Sequence, residues 1–340
     1  VTSRQTIRVW LQRHRATLMA SLLSLSLGLA ISLLAAQVLR RPPSVLPSVP
    51  PIRAPVIPAT SAPILLPAPI PPEPVEAVPV APRVIATPPA LTPKRLAAWQ
   101  QFAVTAAAKP PMIAVIIDDM GLDRRRSEKI SVLPSPLTLS FMAYAGNLPD
   151  QALAAHALGH ELMMHVPMQP LSAAFDAGPD VLTDDLPLEE VRRRIDRDLD
   201  RFTGYVGINN HMGSRFTADP ARMRIVMEAL HQRGLLFIDS LTTGKSVGLA
   251  EARQAGVPAA SRDVFLDDVV DEAAILAQLA KAEDQAKKTG SAIAIGHPHD
   301  ATINALSRWL PGLEARGITL VPVTSVVGMR LSGKKTDAKN

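Results

Sequence analysis

The sequence predicts an α/β protein built on a parallel sheet, open or closed into a barrel. Three observations carry this. Short apolar blocks of strand length recur from Met112 onward, segments with apolar residues three and four apart lie between them, and several blocks end in Asp, Asn or His. Strands that alternate with helices need crossover connections, hence a parallel sheet. The carboxyl ends of such strands share one edge, where these folds place their chemistry. No G-x-G-x-x-G follows the first block and no repeat of about 20–50 residues is present, so a phosphate- or nucleotide-binding α/β fold is the weaker reading.

Before that domain come three segments of different composition. Residues 1–41 carry six arginines (Arg4, Arg8, Arg13, Arg15, Arg40 and Arg41) and no acid, so the formal charge of +5 for the 340-residue chain becomes −1 beyond Arg41. The basic excess therefore belongs to the amino terminus, and no nucleic-acid face is implied. Residues 1–15 read as a basic cytoplasmic tail. Residues 16–39 hold no charged side chain. That length spans a hydrocarbon core, which needs about 20 residues, and the arginine excess on the Ala16 side orients the amino terminus to the cytoplasm. The expectation is a single-pass inner-membrane anchor with the rest of the chain outside the cytoplasm. A cleaved signal peptide, cut near Leu34-Ala35-Ala36-Gln37, is the alternative. Residues 40–109 are rich in proline, as in Pro71-Pro72-Glu73-Pro74. They predict an extended spacer, because proline fixes φ and lacks an N–H. The absence of cysteine is compatible with an oxidising compartment.

Residues 110–332 form the predicted domain and 333–340 a disordered tail. Strand-like blocks are Met112–Ile117, Leu137–Phe141, Leu162–His165, Val206–Asn209, Leu235–Asp239, Ile293–Gly296 and Ile318–Pro322. Helical spacing runs from Leu188 to Phe202 through Val191, Ile195 and Leu199. Asp219-Pro220 opens another helix as N-cap and first residue, and Gly234 closes it. A third spans Asp271 to Lys288.

The first block ends in Asp118-Asp119-Met120-Gly121. Two adjacent carboxylates repel each other, and a metal or a proton relieves the repulsion. Other blocks end in His165, in Asn209-Asn210-His211, in Asp239 and in His297. In a βα barrel these ends meet on one rim, and one Asp with two His is an ordinary catalytic zinc set. His160 and Glu161 precede their strand and belong at its far end, where Glu161 is structural. His156 and His231 lie in helical segments, on the surface. His299 follows Pro298 near the rim and has no assigned role.

The chain from about Pro110 to Arg330 resembles the divergent polysaccharide deacetylase family, a branch of the NodB-like carbohydrate esterase superfamily. The resemblance rests on Ile116-Ile117-Asp118-Asp119, Gly159-His160-Glu161 through His165-Val166-Pro167-Met168, Asn209 to Ser214, Phe237-Ile238-Asp239-Ser240 and Gly296-His297-Pro298. It implies a distorted (β/α) barrel, usually short of eight full units, and metal-dependent removal of an acetyl group from an acetylated sugar. Carried onto this chain, it makes Asp118 the general base and Asp119 a metal ligand. The superfamily has a second histidine four residues after the one matched by His165, and here that position is Gln169. Either His211 completes the set Asp119, His165 and His211 around a divalent ion, expected to be zinc, or the site is weakened.

His297 is the expected acid. Asp239 orients His297 or binds substrate, with Asn210 a further contact. Arg215 and Arg262 are both candidates to orient Asp118. The expected ligand is an acetylated carbohydrate in the cell envelope. It would be short, since Trp309 is the only tryptophan of the predicted domain and aromatics make up 4% of the chain. The contact with the membrane is the amino-terminal helix, and no protein partner is identifiable. The alternative from another class is a membrane-tethered, non-catalytic binding protein on the same barrel, which Gln169 favours.

Overall fold

The computed structural model describes residues 96–337, with side chains through Gly333. The expected basic tail and membrane span, and the expected linker as far as residue 95, lie outside the described residues. Among the described residues no helix is long and apolar enough to cross a membrane.

The last part of the expected linker is not extended. Residues Ala98–Gln101 form a short helix, α1. The proline run has ended by then, and Trp99 and Phe102 pack on an apolar cluster of the barrel, while the Trp99 N–H donates to Gly234 O at 3.0 Å. The chain then alternates as predicted. β1 is Met112–Met120, α2 Arg124–Ser131, β2 Thr138–Met142, α3 Leu148–Ala157, β3 Glu161–Met168 and α4 Leu188–Leu199. β4 (Gly207–Met212), α5 (Pro220–Arg233), β5 (Leu236–Asp239), α6 (Gly248–Ala255), β6 (Ala259–Ser261) and β7 (Val264–Phe265) follow. The domain ends with α7 (Glu272–Thr289), β8 (Ser291–Gly296), α8 (Asp300–Trp309), β9 (Thr319–Leu320) and α9 (Val323–Asp337). α9 runs through 333–337, so helix continues into the segment expected to be a disordered tail.

Local chemistry sets the boundaries. The Asp219 carboxylate accepts from the Arg222 N–H at the start of α5, Pro220 fills the first turn, and Gly234 ends the helix in the left-handed region at φ 65°. Asp271 caps α7 through the Ala274 N–H. α4 buries Val191, Ile195 and Leu199 on one face, with Glu189 and Glu190 in its first turn and Arg197 in its last, each at the end its charge favours.

All the pairings are parallel, in the order β6-β5-β4-β3-β2-β1-β8-β7, with β9 beside the start of β1. The sheet curls into an open barrel. β6 and β7 are its two edges, yet only Arg262 and Asp263 separate them in sequence. Side chains alternate between two cores, as a pleated strand requires. Met112, Ala114 and Ile116 of β1, Met163 of β3, Leu236 and Ile238 of β5, and Ile293 and Ile295 of β8 fill the barrel interior with Val323, Val326 and Val327 of α9. Ile113, Val115, Ile117, Phe237 and Ala294 face outward to the helices. That alternation decides which strand-end residues reach the interior rim.

Candidate active site

Continuing the inward phase of each strand leads to Asp118 on β1, His165 on β3, Ser240 after β5 and His297 after β8. Asp119 belongs to the outward phase, but its φ of 54° places it in the left-handed region, at a register shift between β1 and β2. The irregularity turns both carboxylates of the pair toward one cleft. Gly121 then takes φ 92° where a Cβ would sit 2.8 Å from Ala145 Cβ, so only glycine closes this turn.

The cleft measures about 600 Å³ and is lined by Asp118, Asp119, His165, His211, Arg262 and His297, among others. Asp119 Oδ1 lies 3.0 Å from His211 Nδ1 and 3.5 Å from His165 Nε2. His165 Nε2 is 3.6 Å from Asp118 Oδ2. Asn209 organises this side. Its Nδ2 donates to Asp118 Oδ1 at 2.7 Å, and its Oδ1 lies 2.8 Å from His165 Nδ1 and accepts from Ser140 Oγ at 2.6 Å. A carboxylate facing the amide NH₂ leaves the amide oxygen toward His165. His165 therefore carries its proton on Nδ1 and directs the Nε2 lone pair into the cleft.

These residues fit a divalent cation. One ligand atom from each of Asp119, His165 and His211 lies within 4.8 Å of the others. Asp119 Oδ1 is buried and makes no hydrogen bond, its approach to His211 lacking the required geometry. A buried carboxylate oxygen without a donor is costly unless a cation completes it. A carboxylate with two imidazoles, one of them oriented by an amide behind it, is a donor set for such an ion.

Electrostatics divide the two aspartates. Burial pushes the Asp118 carboxyl upward, against the lowering pull of His165, His297 and the Asn209 bond. Burial also acts on Asp119, but the close His211 and the charge of His165 outweigh it and hold Asp119 well below the usual carboxylate range. Burial draws the His165 imidazole down, against the raising pull of Asp118, Asp119 and the Asn209 bond. On the neighbouring strand, beside Asp118, His297 Nδ1 sits 2.9 Å from Asp267 Oδ1, while Asp267 Oδ2 accepts from the His297 N–H at 2.6 Å and from Thr302 Oγ1 at 2.8 Å. Burial lowers His297, yet the hydrogen bond and charge of Asp267, with Asp118 and Asp119 beyond, push it up to about 9.

Of the remaining candidates, Asn210 and Arg262 also line the cleft. Asp239 shares the outward phase of Phe237, so its carboxylate accepts from Ser246 Oγ at 2.6 Å and from the Leu241 N–H at 2.9 Å. Asp267, rather than Asp239, orients His297. Asn210 braces backbone, donating to Met212 O at 2.7 Å and accepting from the Ser240 N–H at 3.0 Å. Arg262 lines the cleft, held by Ser240 O at 2.8 Å and Leu241 O at 3.1 Å over the Phe265 ring. Arg215 stands outside, exposed and paired with Asp184. Gln169 Oε1 accepts from the Asp184 N–H at 2.7 Å and anchors the loop after β3.

Sequence reasoning missed Asn209 and Asp267. Asn209 was within reach, since it shares a strand face with His211, whereas Asn210 does not. Asp267 follows a two-residue strand and carried no periodic signal.

An open parallel barrel that gathers a cation donor set, a buried carboxylate and an Asp-paired histidine on one rim is a deacetylase-like barrel. The chain belongs to the divergent polysaccharide deacetylase family, whose profile matches residues 115–327. It is 35% identical over 243 residues to the uncharacterised protein YibQ of Escherichia coli K12, covering 70% of this chain and 76% of that protein. An uncharacterised protein of Haemophilus influenzae Rd is 36% identical over 203 residues, covering 59% and 71% respectively. The crystal structure of the uncharacterised protein ATU2773 from Agrobacterium tumefaciens C58 superposes with a TM-score of 0.67 at 31% identity, covering 70% of this chain and 98% of that one.

Proposed function

We propose that the protein is a metal-dependent hydrolase that removes acetyl groups from an acetylated sugar or short glycan of the cell envelope. The observation that carries this is the convergence in one cleft of the Asp119–His165–His211 donor set, Asp118 and the Asp267-bound His297. A divalent ion held by Asp119, His165 and His211, zinc by its donor set, would polarise the acetyl carbonyl and acidify a water molecule.

The chain's own residues do the rest. Asn209 holds Asp118 Oδ1, which leaves Oδ2 to accept the water proton. The burial that raises Asp118 makes it a stronger base. His297, pushed up to about 9, is protonated at neutral pH. With its Nδ1–H bound to Asp267, it offers Nε2–H to the leaving oxygen or nitrogen. Arg262 adds positive charge on the same wall, beside Asp118.

Acetate release from acetylated chitooligosaccharides, peptidoglycan fragments and an aryl acetate tests this reading. Asp118→Asn should lower the rate by about 10²–10⁴ while the protein still folds and binds metal. Activity that survives the substitution rejects Asp118 as the base. An inactive, fully metal-loaded parent protein would leave the barrel a binding module. We further propose that residues 16–39 tether the domain at the inner membrane, facing out of the cytoplasm. A reporter joined after Lys94 should then work only outside the cytoplasm, and cytoplasmic reporter activity would overturn that topology.

A further inference from the structure

The same cleft holds a second group of donors, beyond Asp118 on the side of β8 and β7. Asp267, His297 and His299 each offer one ligand atom, and these atoms lie within 4.8 Å of one another. The acid role of His297 needs Asp267 but makes no use of His299. His299 sits at the N-cap of α8 without making a side-chain cap bond. Residues that cap well present a short side-chain oxygen to the first turn, so capping does not account for an imidazole here. Among the described residues the His299 ring makes no hydrogen bond. Its centre is 6.0 Å from that of His297, at an inclination of 42°. The ring is only partly buried, and no hydrogen bond fixes its orientation. Asp267, in contrast, is buried and fixed by Thr302 Oγ1 and the His297 N–H. One rigid carboxylate, one half-fixed imidazole and one free imidazole on the same cleft wall repeat the donor chemistry of the first group.

We propose that Asp267, His297 and His299 form a second site for a zinc-like cation, weaker than the site of Asp119, His165 and His211. It is weaker for three reasons. A cation entering there competes with the Asp267–His297 hydrogen bond. The His299 ring must rotate to reach it. The Arg262 guanidinium lines the same cleft and opposes a further positive charge. Occupation also has a consequence that rests on the hydrolase reading. An ion on Nε2 takes the place of the proton, and an ion on Nδ1 leaves a neutral ring whose Nε2–H is a far weaker acid than an imidazolium, so in either case His297 is lost as the acid for the leaving group. Excess metal therefore inhibits, through a site distinct from the one that supports the reaction.

The test is zinc titration of the metal-stripped full chain by calorimetry, with elemental analysis after dialysis against buffered zinc. The parent protein should bind a tight and a weaker equivalent. His299→Ala should lose the weaker and keep the tight one, and His299→Asn, which restores a capping side chain, should do the same. His211→Ala should show the reverse, and His156→Ala should change neither. A single equivalent in the parent protein overturns the proposal. So does a second equivalent that survives in both His299 variants or disappears in His156→Ala. Where acetate release is measurable, excess zinc should inhibit the parent protein and spare His299→Ala. Two equivalents without hydrolysis would sink the enzymatic reading and leave this site standing. One equivalent with full hydrolysis would do the opposite.

Discussion

The two ends of β3 carry similar residues in opposite conditions. At the start of the strand lie His160 and Glu161, and four residues after Glu161 comes His165, all of them buried. At the start every polar atom is matched. His160 Nδ1 accepts the Leu137 N–H at 3.1 Å and its Nε2 donates to Ser131 O at 2.9 Å. Glu161 Oε1 accepts from Thr138 Oγ1 and the Thr324 N–H, and Oε2 takes Thr324 Oγ1 at 2.5 Å. These bonds pin α9 beneath the barrel. At the other end His165 uses only Nδ1, and the Nε2 lone pair points at Asp119 Oδ1, itself without a hydrogen bond. The contrast teaches that histidine and carboxylate become a candidate site where their hydrogen-bonding capacity is left open, and become structure where it is filled.

The sharpest way to break this contrast is His165→Ala. It should abolish tight metal binding in elemental analysis, while loss of the Asn209 partner costs only modest stability. Asn209→Ala leaves the ligands in place but frees the His165 ring, and metal affinity should fall by about 10–100-fold. Affinity unchanged in Asn209→Ala would show that the amide does not orient the ligand.

A smaller effect, on stability alone, is expected at the other end. Burial raises Glu161 from 4.5 to about 7, against the lowering pull of the Thr324 bonds. The folded state therefore holds this proton more tightly than the unfolded chain does. The stability it contributes is complete below pH 4.5 and is lost as pH rises through about 7. Glu161→Gln removes that loss, so urea midpoints should match the parent protein near pH 5 and exceed it near pH 8, with metal content unchanged. A variant that lost metal instead would erase the distinction between the two ends.

The smallest effect is expected from Gln169→His, which restores the residue type that the superfamily motif carries. The Gln169 side chain is turned to the Asp184 N–H, outside the donor set, so metal stoichiometry should not change. The lost hydrogen bond should cost about 1 kcal/mol. A gain in metal affinity would show that the loop can turn its side chain inward.

Much of this was legible from strand ends. The apolar blocks located β1 to β5 and β8, and the Asp-Asp, His, Asn-Asn-His and His endings named the cleft residues of those strands. Strand alternation, followed through, separates Ser240 from Asp239 and Asn209 from Asn210. What it could not show is Asp119, whose inward turn depends on a backbone irregularity rather than on pattern. Nor could it show Asp267, which a two-residue strand delivers to His297 through tertiary pairing with β8. α1 was hidden because its four residues follow a proline-rich run, and only the barrel floor gives Trp99 and Phe102 something to cover.

The missing pairing between β6 and β7 has a mechanical consequence. The ring is completed there by the covalent chain, through Arg262 and Asp263, and not by a ladder of hydrogen bonds. Asp263 is tied to β8 and α9, accepting from the Ile293 N–H at 2.7 Å and from Arg330 at 2.6 Å, while the Arg262 N–H reaches back to Asp239 O at 3.0 Å. β1, β3 and β4, which carry Asp118, Asp119, His165 and His211, lie inside the sheet, each paired on both sides. Local opening at the seam would move Leu241 and Arg262 relative to Asp268 and His299 and leave the pairing of β3 with β2 and β4 intact. The barrel thus separates continuously paired strands that fix Asp119, His165 and His211 from a seam that sets the width of the mouth. Loop length at the seam becomes a handle on what the cleft admits.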